Sequence, residues 1–119
     1  MPILIAQNDR FIANRVAHGL AAHFPRVAVV ENVADPSTVK QFHRARVAVL
    51  DLELFTVDSV KAIALQFCNL IIVCTHRSPD EQMWIAALNA GAVEVCHPSD
   101  IQSILRAARR IRPRSPAAA

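Results

Sequence analysis

Val47-Ala48-Val49-Leu50-Asp51 is a continuous apolar run that stops on a carboxylate, and Leu52-Glu53-Leu54 follows it. Successive side chains of a strand point to opposite faces. A run with no polar alternation therefore describes a strand covered on both sides. The same form recurs along the chain. Ile3-Leu4-Ile5-Ala6 ends in Gln7-Asn8-Asp9, Leu70-Ile71-Ile72-Val73-Cys74 ends in Thr75-His76, and Ala92 to Cys96 ends in His97-Pro98. The valine-rich stretch Arg26 to Val30 supplies a further strand.

Helical patterns separate these runs. From Arg10 to Phe24, Ile12, Val16 and Leu20 recur at a spacing of four beside Ala13, Ala17 and Ala21, which predicts an amphipathic helix stopped near Pro25. Asp35-Pro36-Ser37 opens a short helix through about Phe42, and Asp58 to Gln66 forms another with Val60, Ile63 and Ala64 on one side. Ser78-Pro79-Asp80-Glu81 reads as a helix start, with serine as the cap and proline in the first position. That helix ends at Gly91, the residue suited to a left-handed terminal turn. Ser99-Asp100 caps a last helix running to about Ile111, and residues 112–119 read as a flexible basic and Ala-Pro tail.

Five alternations of apolar strand and helix predict an α/β domain over residues 1–111, a parallel sheet with helices on both faces. Right-handed crossovers make the flavodoxin-like doubly wound (βα)5 fold, strand order 2-1-3-4-5, the expected topology. In such sheets the functional groups gather where loops leave the carboxyl ends of the strands.

The bulk properties fit one domain. The 119 residues are 53% hydrophobic, enough for one core and too many for disorder. No apolar run reaches the length of about 18 residues that reads as a membrane span. The first residues lack a basic region and a cleavage site, so a cytoplasmic location is expected. Cys68, Cys74 and Cys96 are an odd set without a CxxC spacing and read as reduced thiols. Cys74, His76, Cys96 and His97 are zinc-ligand types, but neighbours in a strand point to opposite faces and should not converge. The net charge of +3 owes much to Arg106, Arg109, Arg110, Arg112 and Arg114, cations suited to a helix C-terminus. Without aromatic interleaving or a recognition motif, nucleic acid is not the partner that this charge suggests.

On five parallel strands, Gln7-Asn8-Asp9, Asp51, Thr75-His76 and His97-Pro98 converge on one rim. With these residues the chain resembles the response regulator receiver family of bacterial two-component systems, from about Pro2 to Ile111. Val49-Leu50-Asp51-Leu52-Glu53-Leu54 is similar to the family's third-strand motif, Asp58 to an acidic position after it, and Thr75 to the hydroxyl that senses the phosphoryl group. The resemblance implies Asp51 as phosphoacceptor, Thr75 as switch hydroxyl and His97 in the place of the strand-five lysine. It also implies Mg²⁺ held near Asn8, Asp9, Asp51 and Glu53.

The departures from the pattern are chemical. Gln7 and Asn8 stand at the acidic-pair positions and Asp9 follows them, although a shift of one residue would bring Asp9 into the pair. Amides can ligate a cation but add no charge, so the Mg²⁺ site is expected to be weak or lost. His97 carries no fixed positive charge near neutral pH, while Pro98 is retained. Val93-Glu94-Val95 lacks the aromatic of the family's switch, and Phe55-Thr56-Val57 replaces its proline-containing turn.

The sequence thus reads as an atypical single-domain receiver, a protein-interaction module and not an enzyme, phosphorylated weakly or not at all. The alternative is a working phosphoacceptor at Asp51. A further one is a small-ligand or nucleotide binder at the same rim, for which Gly19 and Gly91 provide no phosphate loop. The expected partner is a histidine kinase, another regulator or a second copy, with no membrane. Homodimerisation would use the face of the fourth helix, fifth strand and fifth helix. Trp84 on that helix either anchors such an interface or packs on the sheet.

Overall fold

Apolar runs of four or five residues set the sheet, and the computed structural model describes it through residues 2–30 and 37–110. The elements follow in strict alternation: β1 (Ile3–Ala6), α1 (Arg10–Ala21), β2 (Val27–Val29), α2 (Ser37–Arg44), β3 (Val47–Asp51), α3 (Val57–Gln66), β4 (Ile71–Thr75), α4 (Glu81–Ala90), β5 (Glu94–Cys96) and α5 (Ile101–Ala108). All strand pairings are parallel and the order is β2-β1-β3-β4-β5, the expected flavodoxin-like topology.

Strand alternation divides the core in two. Leu4, Ala6, Ala48, Leu50, Ile72 and Cys74 face one layer, which holds Phe42 of α2, Val60 and Ala64 of α3, and Ala87 of α4. Ile3, Ile5, Val47, Val49, Ile71 and Val73 face the other, which holds Val16 and Leu20 of α1 and Ile104 and Leu105 of α5. Because both faces are covered, β1, β3 and β4 are buried at every position. Gly19 lets α1 approach α5 closely: a Cβ there would stand 2.9 Å from the Ile101 side chain. Cys74 and Cys96 fall in opposite cores, so the thiols of the conceivable zinc set do not converge.

Several boundaries differ from expectation for local reasons. α4 starts at Glu81 and its cap is Asp80, not Ser78, because the Asp80 carboxylate accepts from the Met83 amide at 2.7 Å. A carboxylate is a stronger acceptor than a hydroxyl, and a cap at Asp80 moves the first turn two residues along from one at Ser78. Gly91 closes the helix at φ 118°, donating to the carbonyls of Ala87 and Leu88, and Ala92 also donates to Ala87. That turn consumes the amide of Ala92, so β5 begins only at Glu94. α1 ends at Ala21, because the amides of His23 and Phe24 both turn back to the Leu20 carbonyl. β4 keeps Thr75 within the strand, paired to Asp51 and Cys96. The expected helix opening at Asp35-Pro36, the end of the last helix at Ile111 and the tail at 112–119 lie outside the described residues. No helix among the described residues is long and apolar enough to cross a membrane.

Candidate functional site

The register builds the site. Pairing sets Ala6 beside Leu50 and Asp51 beside Thr75, so the residue after β1, Gln7, arrives next to Asp51. Gln7, Asp51 and Thr75 are all buried, with Thr75 at 0% exposure. Polar groups at such a depth need partners. Gln7 Nε2 donates to Thr75 Oγ1 at 2.9 Å, and the Thr75 hydroxyl faces Gln7 Oε1 at 3.2 Å. The primary amide therefore meets both capacities of the hydroxyl.

Asp51 is satisfied by backbone. Its Oδ2 accepts from the Asn8 amide and its Oδ1 from the Glu53 amide, each at 2.9 Å. The loop after β1 and the loop after β3 are thus tied to one carboxylate. The amides of Leu54 and Phe55 close the turn on the Asp51 carbonyl at 2.9 and 2.8 Å.

Above this floor lies an ion pair. Arg77, two residues beyond Thr75, grips Glu53, two residues beyond Asp51, through Nε–Oε1 at 3.1 Å and Nη2–Oε2 at 2.8 Å. His76 Nε2 stands 4.0 Å from the same carboxylate. The Arg77 hydrogen bond is the main cause holding the Glu53 pKa below its ordinary value, and Glu53 in turn raises that of Arg77. Asp51 and Asp9 add weaker attraction to the guanidinium, so Arg77 is the fixed cation facing this acidic rim.

The remaining candidates are placed as follows. Asp9 caps α1, its Oδ1 accepting from the Phe11 amide at 2.8 Å and the Ile12 amide at 3.4 Å. Asn8 contributes its backbone amide. His97 follows β5, and its Nδ1 is held by Ser99 of its own loop, at 3.0 Å from the amide and 2.7 Å from the hydroxyl. Asp58 lies exposed in the first turn of α3.

The donor set does not fit Mg²⁺. That ion wants several oxygens, carboxylates above all, in near-octahedral array. Here Gln7 is neutral and bound to Thr75, Asp9 caps a helix, and Glu53 is engaged by a guanidinium. Among the described residues, no three His, Cys, Asp or Glu side chains stand together as a metal-holding group.

Two elements of this site escape a linear reading. The amide of Gln7 looks like a lost carboxylate until the register brings it against Thr75. Arg77 belongs to no motif, yet parallel pairing of Asp51 with Thr75 is itself the signal. Residues two beyond a registered pair stand opposite each other, and here they carry opposite charge.

No family model matches this sequence, and no curated protein does. Comparison of the coordinates is decisive for the architecture. The signal receiver domain of a two-component response regulator from Bacteroides fragilis superposes with a TM-score of 0.78, covering 96% of this chain and 98% of its own at 20% identity. This is the receiver fold. An atypical orphan response regulator, described with a phosphorylation-independent regulatory mechanism, matches with a TM-score of 0.72 at 14% identity, covering 89% of this chain and 90% of its own. A Burkholderia pseudomallei response regulator, solved with a phosphorylated aspartic acid and a calcium ion, matches at 0.74 with 18% identity, covering 91% of this chain and 66% of its own. The receiver fold thus occurs with phosphorylated aspartate and with phosphorylation-independent regulation alike.

Proposed function

We propose that this chain is an atypical receiver that signals by protein binding and does not depend on phosphorylation of Asp51. The observation that carries the reading is the buried Gln7–Thr75 pair. The resemblance gives the strand-four hydroxyl the task of moving toward a phosphoryl group. Here moving it would strand a buried amide, at a cost of about 1–3 kcal/mol. The chemistry of the rim agrees. Asp51 accepts a backbone amide on each oxygen, and the Arg77 guanidinium facing it is committed to Glu53.

The partner we infer is another signalling protein of the cytoplasm: a histidine kinase, a second regulator or a second copy. Exposed Trp84, Ile85 and Leu88 on α4 offer the apolar surface such an interface uses, beside β5 and α5. Trp84 Nε1 donates to Glu94 of β5 at 2.8 Å, and Arg110 reaches the other Glu94 oxygen at 3.4 Å. The indole is therefore oriented with about half of the side chain, 46%, still exposed.

The test is labelling with a small acyl phosphate donor and excess Mg²⁺, read by intact mass and peptide mapping. No phosphoryl adduct at Asp51 is expected. A Mg²⁺-dependent adduct mapped to Asp51 and lost in Asp51→Asn would overturn the reading in favour of a working phosphoacceptor.

A further inference from the structure

The molecule presents two unlike surfaces. Exposed large apolar side chains gather on the α2–α4 layer, including Leu65, Trp84, Ile85 and Leu88. The α1–α5 layer exposes one, Phe11. That layer is instead a field of cations. From Arg10 to Arg26 and from Ile101 to Arg110 there is no Asp or Glu, and the acids Asp9 and Asp100 stand only at the caps. Arg15, His18, His23, Arg106 and Arg109 are all exposed on it. Among the described residues, Arg15 and Arg109 pair with no carboxylate. Arg109 instead lies 3.5 Å from Nδ1 of His23, just past the end of α1.

The fixed cations of this layer are all arginines, while the two lysines, Lys40 and Lys61, sit on α2 and α3. The guanidinium fork matches phosphate oxygens in pairs. Phe11, Arg15 and His18 follow one another at spacings of four and three, one stripe of α1. The Phe11 ring is 69% exposed, and the Arg15 guanidinium lies 5.9 Å from its centre. Beside this stripe runs a groove of about 500 Å³, walled on the far side by Pro98, Ser99 and Ile101.

From this combination we propose that the α1–α5 face binds single-stranded nucleic acid, with Phe11 stacking on an unpaired base and the arginines on the phosphates. A cationic track with an exposed aromatic is what single strands need, since any base has a face to stack. A duplex keeps its bases stacked inside and could use only the charge. A protein partner would look for a cluster of large exposed apolar side chains, which among the described residues the α4 face has and this face replaces by Phe11 alone. The charge alone gave the sequence no such meaning, because the aromatic that completes it becomes exposed beside the arginines only in the fold. The proposal does not rest on the protein-binding reading above, which centres on the apolar side chains of α4 and meets this face only at α5.

The experiment is fluorescence anisotropy of the full chain with a labelled mixed-sequence single strand of about 16 nucleotides, the upper end of single-strand site sizes. It is repeated with the matching duplex and with polyglutamate as competitor. The single strand should bind more tightly than the duplex, with a log–log salt slope of about −0.7 per phosphate neutralised. Arg15→Glu combined with Arg109→Glu should weaken binding about tenfold or more at low salt. Phe11→Ala should weaken it about fivefold or more with the slope unchanged, as loss of stacking requires. Lys61→Glu on the other layer should have no effect beyond its share of net charge. These side chains are exposed, and unchanged circular dichroism of each variant would exclude misfolding. Absence of binding at low salt overturns the proposal. So does equal loss in Lys61→Glu, or duplex or polyglutamate performing as well as the single strand, which would mark a general polyanion or acidic-protein surface.

Discussion

Replacing Thr75 by valine tests the pair on which the functional reading rests. The substitution keeps the shape of the side chain and deletes only the hydroxyl. In the wild type that hydroxyl meets both polar atoms of the Gln7 amide, at 2.9 and 3.2 Å, and Gln7 is 8% exposed. The valine variant leaves an amide nitrogen and a carbonyl oxygen without these partners. A buried unpaired polar atom costs about 1–3 kcal/mol. Gln7 lies at the rim, where water can reach part of it, so about 2 kcal/mol is expected for the two together. For a domain of this size that lowers the melting midpoint by about 5–10 °C. Gln7→Leu alone strands only the hydroxyl and should cost about 1–2 kcal/mol. The double variant leaves no orphan, so it should cost less than the sum of the singles by at least about 1 kcal/mol. Urea unfolding followed by circular dichroism measures all four proteins. A Thr75→Val effect under about 0.5 kcal/mol, or strict additivity in the cycle, would refute the claim that Gln7 holds this hydroxyl.

Two other consequences can be checked on the same material. Burial pushes the Cys74 thiol up to about 12 and the Cys96 thiol up to about 11, so at pH 8 a thiol reagent should titrate only the exposed Cys68 in the folded chain and all three cysteines in denaturant. Because both thiols ionise more readily once unfolded, their contribution to stability is complete below about pH 9 and declines as the pH rises toward about 12, which a pH series of melting midpoints would detect. Gly91 holds φ 118°, a region strained for any side chain, so Gly91→Ala should destabilise by about 1–3 kcal/mol; an unchanged urea midpoint would contradict this.

The fold was legible because its signal is redundant. Uninterrupted apolar strands such as Ile3–Ala6 and Val47–Asp51 can be satisfied only between two covering layers, and alternating helices provide them. Gly91 announced its turn for the same reason, since few other residues tolerate that backbone. The ends were less legible where competing acceptors decide them. Ser78 and Asp80 are both good caps, and the fold chose the charged one. The rim was legible as a place but not as a set of partnerships. Asp51 and Thr75 announce themselves, whereas the role of Gln7 follows from a register no single strand encodes. His97 illustrates another case: its position suggests a role toward Asp51, and the fold shows its Nδ1 engaged by Ser99 of its own loop.

The two amide bonds accepted by Asp51 alter what a familiar genetic control means. An aspartate fastened to the backbone of Asn8 and Glu53 is a clip between two loops, whatever its chemistry with phosphate. Exchange for asparagine would turn an NH₂ group toward one of those N–H donors, so the clip would open on one side. A strain carrying that exchange could lose its output by loosening the rim alone. Silence of the asparagine variant is therefore a measure of loop anchoring until the mass of the wild-type protein speaks to the phosphate.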